Sequence, residues 1–148
     1  MRLSDYLCHD CIIADLRACD KTQVLLELAK TVSASTGLDV ETVHAVLLDR
    51  EKLGSTAVGD GYAIPHGKMP GLEKMLLVFA RSVHGVDFAA PDDLPCRLFF
   101  MVLAPEGAAG QHLGLLGAIA RLAKDASFTT GLLQARGVSE LAGFLAAV

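Results

Sequence analysis

Met75-Leu76-Leu77-Val78-Phe79-Ala80 and Leu98-Phe99-Phe100-Met101-Val102-Leu103-Ala104 are unbroken apolar runs, the first preceded by Pro70-Gly71 and the second stopped by Pro105. Each is too short for an ordinary helix and lacks polar alternation, so each predicts a central strand covered on both faces. Gly85, Pro91-Asp92-Asp93 and Pro95 mark turns between them, which makes the two strands expected sheet neighbours. With 148 residues, 52% hydrophobic and 20% charged, the chain is of single-domain size across 1–148 and can bury a substantial core in a layered α/β arrangement.

Other segments carry local punctuation. Cys11 to Leu16 reads as a short strand. Asp20 stands before Lys21-Thr22-Gln23 as an N-cap, Val24, Leu25, Leu28, Ala29 and Val32 follow at helical spacing, and Gly37 closes the helix. Asp39 caps a second helix to about Leu53, with Gly54 as its stop. There Val43, Val46, Leu47 and Arg50 share the apolar face, while Glu41, His44, Glu51 and Lys52 are assigned to the wet side. A further helix runs from about Gln111 to Lys124 with His112 heading its buried stripe, and shorter ones cover Ser127 to Gln134 and Ser139 to about Ala146.

Between the second helix and the first apolar run, Gly54 to Lys68 packs four glycines, one proline, two hydroxyls, a histidine and a lysine. Glycine lets backbone amides approach a bound group closely, and Pro65 fixes the chain just ahead of His66. Such a segment suits an anion pocket around a reactive imidazole, although a glycine-rich hairpin with a surface histidine would use the same residues. Arg50 has two readings as well: pairing with the last helical carbonyls, or presenting its fork to an anion on His66. His112, near a helix start, sits where unpaired amides favour anions.

The pattern Arg50-Glu51-x-x-Gly54-Ser55-Thr56-x-x-Gly59-x-Gly61-x-Ala63-Ile64-Pro65-His66-Gly67-Lys68 closely resembles the phosphorylation-site signature of the type-2 EIIA domains of the phosphoenolpyruvate-dependent phosphotransferase system, the fructose/mannitol and nitrogen-regulatory (PtsN) group. Gln111-His112-Leu113-x-x-Leu116 matches that family's second-histidine region, and the likeness extends from about Leu16 to the C-terminus. The resemblance implies a mixed sheet of about four to six strands with helices on both faces. It also implies a site at a sheet edge, built from the glycine loop and the first turn of the His112 helix. His66 is implied as phosphoryl acceptor through Nε2, with Arg50 and His112 beside it and the Ser55 and Thr56 hydroxyls binding phosphate. The implied donor is an HPr/NPr-like phosphocarrier, the recipients are regulatory target proteins or an EIIB domain, and no cofactor is called for. Likeness through Arg50 to Thr56 and Pro65 to Lys68, with no fused EIIB, EIIC or HPr segment in the chain, favours a PtsN-like regulator over a sugar-specific EIIA.

Other classes find less in the sequence. A net charge of −4 and scattered basic residues argue against nucleic acid, and the absence of a signal peptide or a membrane-length apolar run makes cytoplasmic residence the expectation. Cys8-His9-Asp10-Cys11 has CxxC spacing but no second ligand pair follows, so Cys8, Cys11, Cys19 and Cys96 read as reduced thiols rather than a zinc site. A metal enzyme built on His66 and His112 lacks a carboxylate at ligand spacing. A binding module that is never phosphorylated would have no need of His66, Arg50 and His112 together. His9, His44 and His84 read as surface histidines, Asp60 as a turn residue, and Lys68 equally as a phosphate contact or a solvated lysine.

Overall fold

The two apolar runs form adjacent antiparallel strands, Leu76–Val86 and Cys96–Pro105, with Leu77 opposite Val102 and Phe79 opposite Phe100. In the computed structural model, which describes residues 2–148, they are β5 and β6 of a six-stranded sheet whose other members are β1 (Leu7–Ile13), β2 (Ala57–Gly59), β3 (Tyr62–Ala63) and β4 (His66–Met69). The helices are α1 (Lys21–Thr36), α2 (Val40–Glu51), α3 (Ala109–Leu122), α4 (Ala126–Gln134) and α5 (Val138–Ala146). The order β1-β5-β6-β3-β2, with β4 also on β6, mixes parallel and antiparallel pairs.

Alternation along the central strands divides the core in two. Val78, Ala80, Phe99, Met101 and Leu103 pack with the apolar faces of α1 and α2. Leu77, Phe79, Leu98, Phe100 and Val102 pack on the other side with α3, α4 and α5. The expected α/β sheet with helices on both faces is what the chain forms. Among the described residues no helix is long and apolar enough to cross a membrane.

The caps expected at α1 and α2 are made. Asp20 accepts from the Gln23 amide at 2.8 Å and Asp39 from the Thr42 amide at 3.0 Å, while Gly37 closes α1 at φ 81°. Three expectations need correction. β1 starts at Leu7 and ends at Ile13, so the strand takes in both Cys8 and Cys11. Gly85 lies inside β5 rather than in a turn; its φ of 83° and the approach of Pro95 to 2.9 Å from the position of a Cβ are what call for glycine there. Glu51 is not on the wet side: its carboxylate is 5% exposed, pairs with Lys21 at 2.8 Å and accepts the Thr56 amide at 3.0 Å and the Thr56 hydroxyl. The last residue of α2 thus clasps the start of β2.

β3 and β4 follow one line along β6. Tyr62 faces Leu98 and Ala63 faces Phe99, then His66 faces Val102 and Met69 faces Pro105, with the register unchanged across Ile64-Pro65. Pro65 has no amide to donate and interrupts the strand, yet its carbonyl accepts the Val102 amide at 2.9 Å and keeps the line intact. α2 lies directly on β4: a Cβ at Gly67 would sit 2.3 Å from Val46 Cγ1. Gly67→Ala must turn the Val46 side chain or shift α2, and we expect it to cost about 1–3 kcal/mol, the usual penalty of overpacking. The check is a lower urea midpoint with unchanged slope.

Candidate functional site

His66 is the first residue of β4, placed by the break at Pro65. Its Nδ1 lies 2.7 Å from the Ile64 carbonyl oxygen, two residues back, and its Nε2 lies 3.3 Å from Arg50 Nε. A carbonyl only accepts and a guanidinium only donates. The two contacts therefore select one neutral tautomer, with the proton on Nδ1 and the lone pair on Nε2.

Arg50 arrives from the last turn of α2, four residues after Val46 and on the same face. Besides approaching His66 it donates from Nη1 to the Gly54 carbonyl at 3.0 Å. It thus bonds a carbonyl just past the helix end, rather than one of the last helical carbonyls, while facing the imidazole. His112 comes from α3 on the other side of the sheet. Its ring meets that of His66 edge to face, with centroids 5.3 Å apart and planes at 78°. α3 begins at Ala109, so His112 is the fourth helical residue and its own amide is bonded to the Ala108 carbonyl at 2.9 Å. The His112 Nε2 is buried and, among the described residues, has no hydrogen-bond partner.

These three side chains line an open cleft of about 490 Å³, together with Val46, Leu53 and Lys68. Leu53, one of the lining residues, is 83% exposed, and Asp49 also lines the cleft. Ser55 and Thr56 are not brought to the ring. The Ser55 hydroxyl donates to the Phe88 carbonyl and accepts the Ala57 amide, and the Thr56 hydroxyl donates to Glu51, so both hold the loop to its own surroundings. Asp60 takes a left-handed turn position at φ 58°, as its turn reading expects. His9 and His84 are exposed, and His44 is half-buried with Nε2 3.2 Å from the Thr22 carbonyl oxygen. Sequence reasoning missed the Ile64 carbonyl and the Gly67 close approach. The Ile64-Pro65-His66-Gly67 spacing was their one visible signal.

The family model "Phosphoenolpyruvate-dependent sugar phosphotransferase system, EIIA 2" matches residues 5–148. The chain belongs to the type-2 EIIA family. It is 43% identical over 146 residues to a nitrogen regulatory protein of Bradyrhizobium diazoefficiens, covering 99% of this chain and 95% of that one. A fructose-specific EIIA component of Haloferax volcanii is 37% identical over 126 residues, covering 85% and 80%. Among solved structures, the nitrogen regulatory protein IIA-Ntr of Neisseria meningitidis superposes with a TM-score of 0.90 at 32% identity, covering 97% of this chain and 98% of that one. The family resemblance carried by Arg50 to Lys68 is borne out.

In this EIIA chain the electrostatics favour neutral rings. Burial lowers the His66 pKa below its ordinary value, the Ile64 carbonyl opposes that by stabilising the Nδ1 proton, and the Arg50 charge lowers it further. His112 is also lowered, by burial first and then by the neighbouring His66 and Lys68. An unfolded histidine titrates near about 6.5, so below that pH the unfolded chain binds protons that the folded site refuses. The stability the neutral rings carry is present in full above about pH 6.5 and is lost as pH falls toward the lower folded-state values. We expect a His66→Gln/His112→Gln double variant to lose less stability than wild type between about pH 7 and pH 5.5, read from urea midpoints. Histidine NMR titration should put both wild-type rings below the ordinary value, with Nδ1 protonated in His66.

Proposed function

We propose that His66 Nε2 accepts a phosphoryl group from a phosphohistidine on a small HPr/NPr-like carrier and returns or relays it. The observation that carries this reading is the pair of contacts on one ring, Ile64 carbonyl on Nδ1 and Arg50 Nε on Nε2. Together they leave a neutral, oriented nucleophile beside a fixed cation. In phosphoryl transfer the protein's task is in-line positioning and compensation of charge on the equatorial oxygens.

As the Nε2–P bond forms, the donor's N–P bond breaks and its imidazole leaves. Arg50 is the group placed to turn its fork from the ring to the incoming oxygens. The unpartnered His112 Nε2, once protonated, supplies a second donor from the opposite face. Lys68 lines the cleft and adds a cation near its mouth. Exposed Leu53 at the cleft offers apolar surface on which a small carrier protein can dock. Ser55 and Thr56 have no part in this reading.

We assign the chain a regulatory role, supported by its 43% identity to a nitrogen regulatory protein. The 37% identity to a fructose-specific EIIA component favours a second reading, relay to a sugar-specific EIIB. Fast, saturable discharge of phospho-protein onto such an EIIB would select the second.

Incubation with phosphoenolpyruvate, enzyme I and the carrier, followed by intact-mass measurement, should add one acid-labile phosphoryl group to wild type and none to His66→Ala. Arg50→Ala should slow transfer in both directions by about a hundredfold, the order of losing one preorganised donor. His112→Ala should still be modified but retain or pass on the group poorly. Stable labelling of His66→Ala at another residue would overturn the assignment.

A further inference from the structure

Five residue steps on β1, from Leu7 to Ile12, lie opposite only two on β5, from Leu77 to Phe79. The surplus is gathered into a bulge at residues 8–11, with Asp10 in the left-handed region at φ 57°. A regular strand would separate Leu7 from Ile12 by about 16 Å, whereas the two steps on β5 span only about 7 Å. Cys8 and Cys11 stand at the ends of the gathered segment. Positions three apart in a regular strand face opposite sides. Here Cys11 lies in the core beneath α1, and Cys8 packs against that same core. Compression and shared facing are what two cysteines need to reach the Cα separation of roughly 4.4–6.8 Å that a disulfide spans.

The pair also has an entrance. Cys8 lines an open cleft of about 330 Å³ with Tyr6, Ser35 and Lys74, while Cys11 is fully buried with its Sγ 3.8 Å from the Thr31 carbonyl oxygen. All four cysteines are free thiols. We propose that Cys8 and Cys11 form a thiol–disulfide exchange site, Cys8 receiving a low-molecular-weight disulfide of the glutathione class and Cys11 resolving it. Lys74 supplies a cation at the cleft for the carboxylates of such a molecule.

The chemistry balances with that disulfide as oxidant. The interaction between the two sulfurs shifts Cys8 upward and Cys11 downward, which makes Cys11 the sulfur to take up the Cys8 proton. Cys8 Sγ attacks one sulfur of the incoming disulfide, its proton passes to Cys11, and the first small thiolate leaves. Cys11 then gives up that proton and attacks Cys8 Sγ in the mixed disulfide, expelling the second small thiol. Two protein thiols are oxidised and one small disulfide is reduced to two thiols. No step involves His66, so this site stands or falls independently of the phosphoryl reading.

The test is to incubate the reduced full chain with oxidised glutathione under native conditions, quench with acid and map the peptides. Exposed Cys19 is the internal reference for simple glutathionylation. We expect the segment carrying Cys8 and Cys11 to lose two hydrogens without retaining glutathione, and Cys11→Ala to trap a glutathionyl group on Cys8. The wild-type mapping decides even if the buried variant folds poorly. A stable glutathionyl group on wild-type Cys8 would overturn the proposal. So would a pair that stays reduced while Cys19 is modified, or a Cys8–Cys11 bond that appears only after urea is added.

Discussion

The approach of α2 to β4, with Val46 against the bare backbone of Gly67, is the contact on which the site depends. Arg50 is one helical turn beyond Val46, and His66 is the residue before Gly67, so the spacing fixed at one contact fixes the guanidinium against the imidazole. Successive strand residues face opposite sides. Gly67 meets α2, while His66 meets His112 of α3 across the sheet. For Arg50 to reach that ring from α2, the strand carrying it must leave an edge open, and among the described residues β4 has β6 as its one strand partner. The edge is four residues long and includes an exposed lysine, which limits its use as a template for another chain.

The same geometry disfavours the charged form of the rings. A histidine beside an arginine gains nothing by taking a proton, and burial adds to the penalty. Leu53, in the same cleft, is 83% exposed, whereas the ring of His112 is buried and that of His66 half-buried.

Much of this was legible in the sequence. Apolar runs gave β5 and β6 because strands buried on both faces cannot afford polar alternation, and Asp20 and Asp39 gave helix starts because an unpaired amide needs a short-range acceptor. What escaped were contacts made across the fold. Glu51 reads as solvent-facing on a helical wheel, but the helix ends there and its carboxylate turns back to Thr56 and Lys21. Gly85 reads as a turn because glycine punctuates loops, yet it marks the close approach of Pro95 to a strand. Ser55 and Thr56 carry hydroxyls that suit a phosphate or a loop's own backbone equally well, and local composition does not say which. The β1 bulge has no sequence mark at all, since it exists only as a mismatch in step with β5.

On the proposed function, the choice of a peptide carbonyl rather than a carboxylate to hold His66 Nδ1 carries meaning. A carboxylate there would favour the imidazolium and strengthen the ring as a base, as it does where a histidine must take up and release protons during catalysis. The Ile64 carbonyl orients the ring and fixes its tautomer with a smaller effect on basicity, and burial more than offsets it. An acceptor of that kind attacks phosphorus without first losing a proton and leaves again as a neutral imidazole when the group moves on. Donor and acceptor are then chemically alike, so neither direction is strongly downhill. A carrier needs that balance, and the Ile64-Pro65-His66 turn supplies it from three consecutive residues.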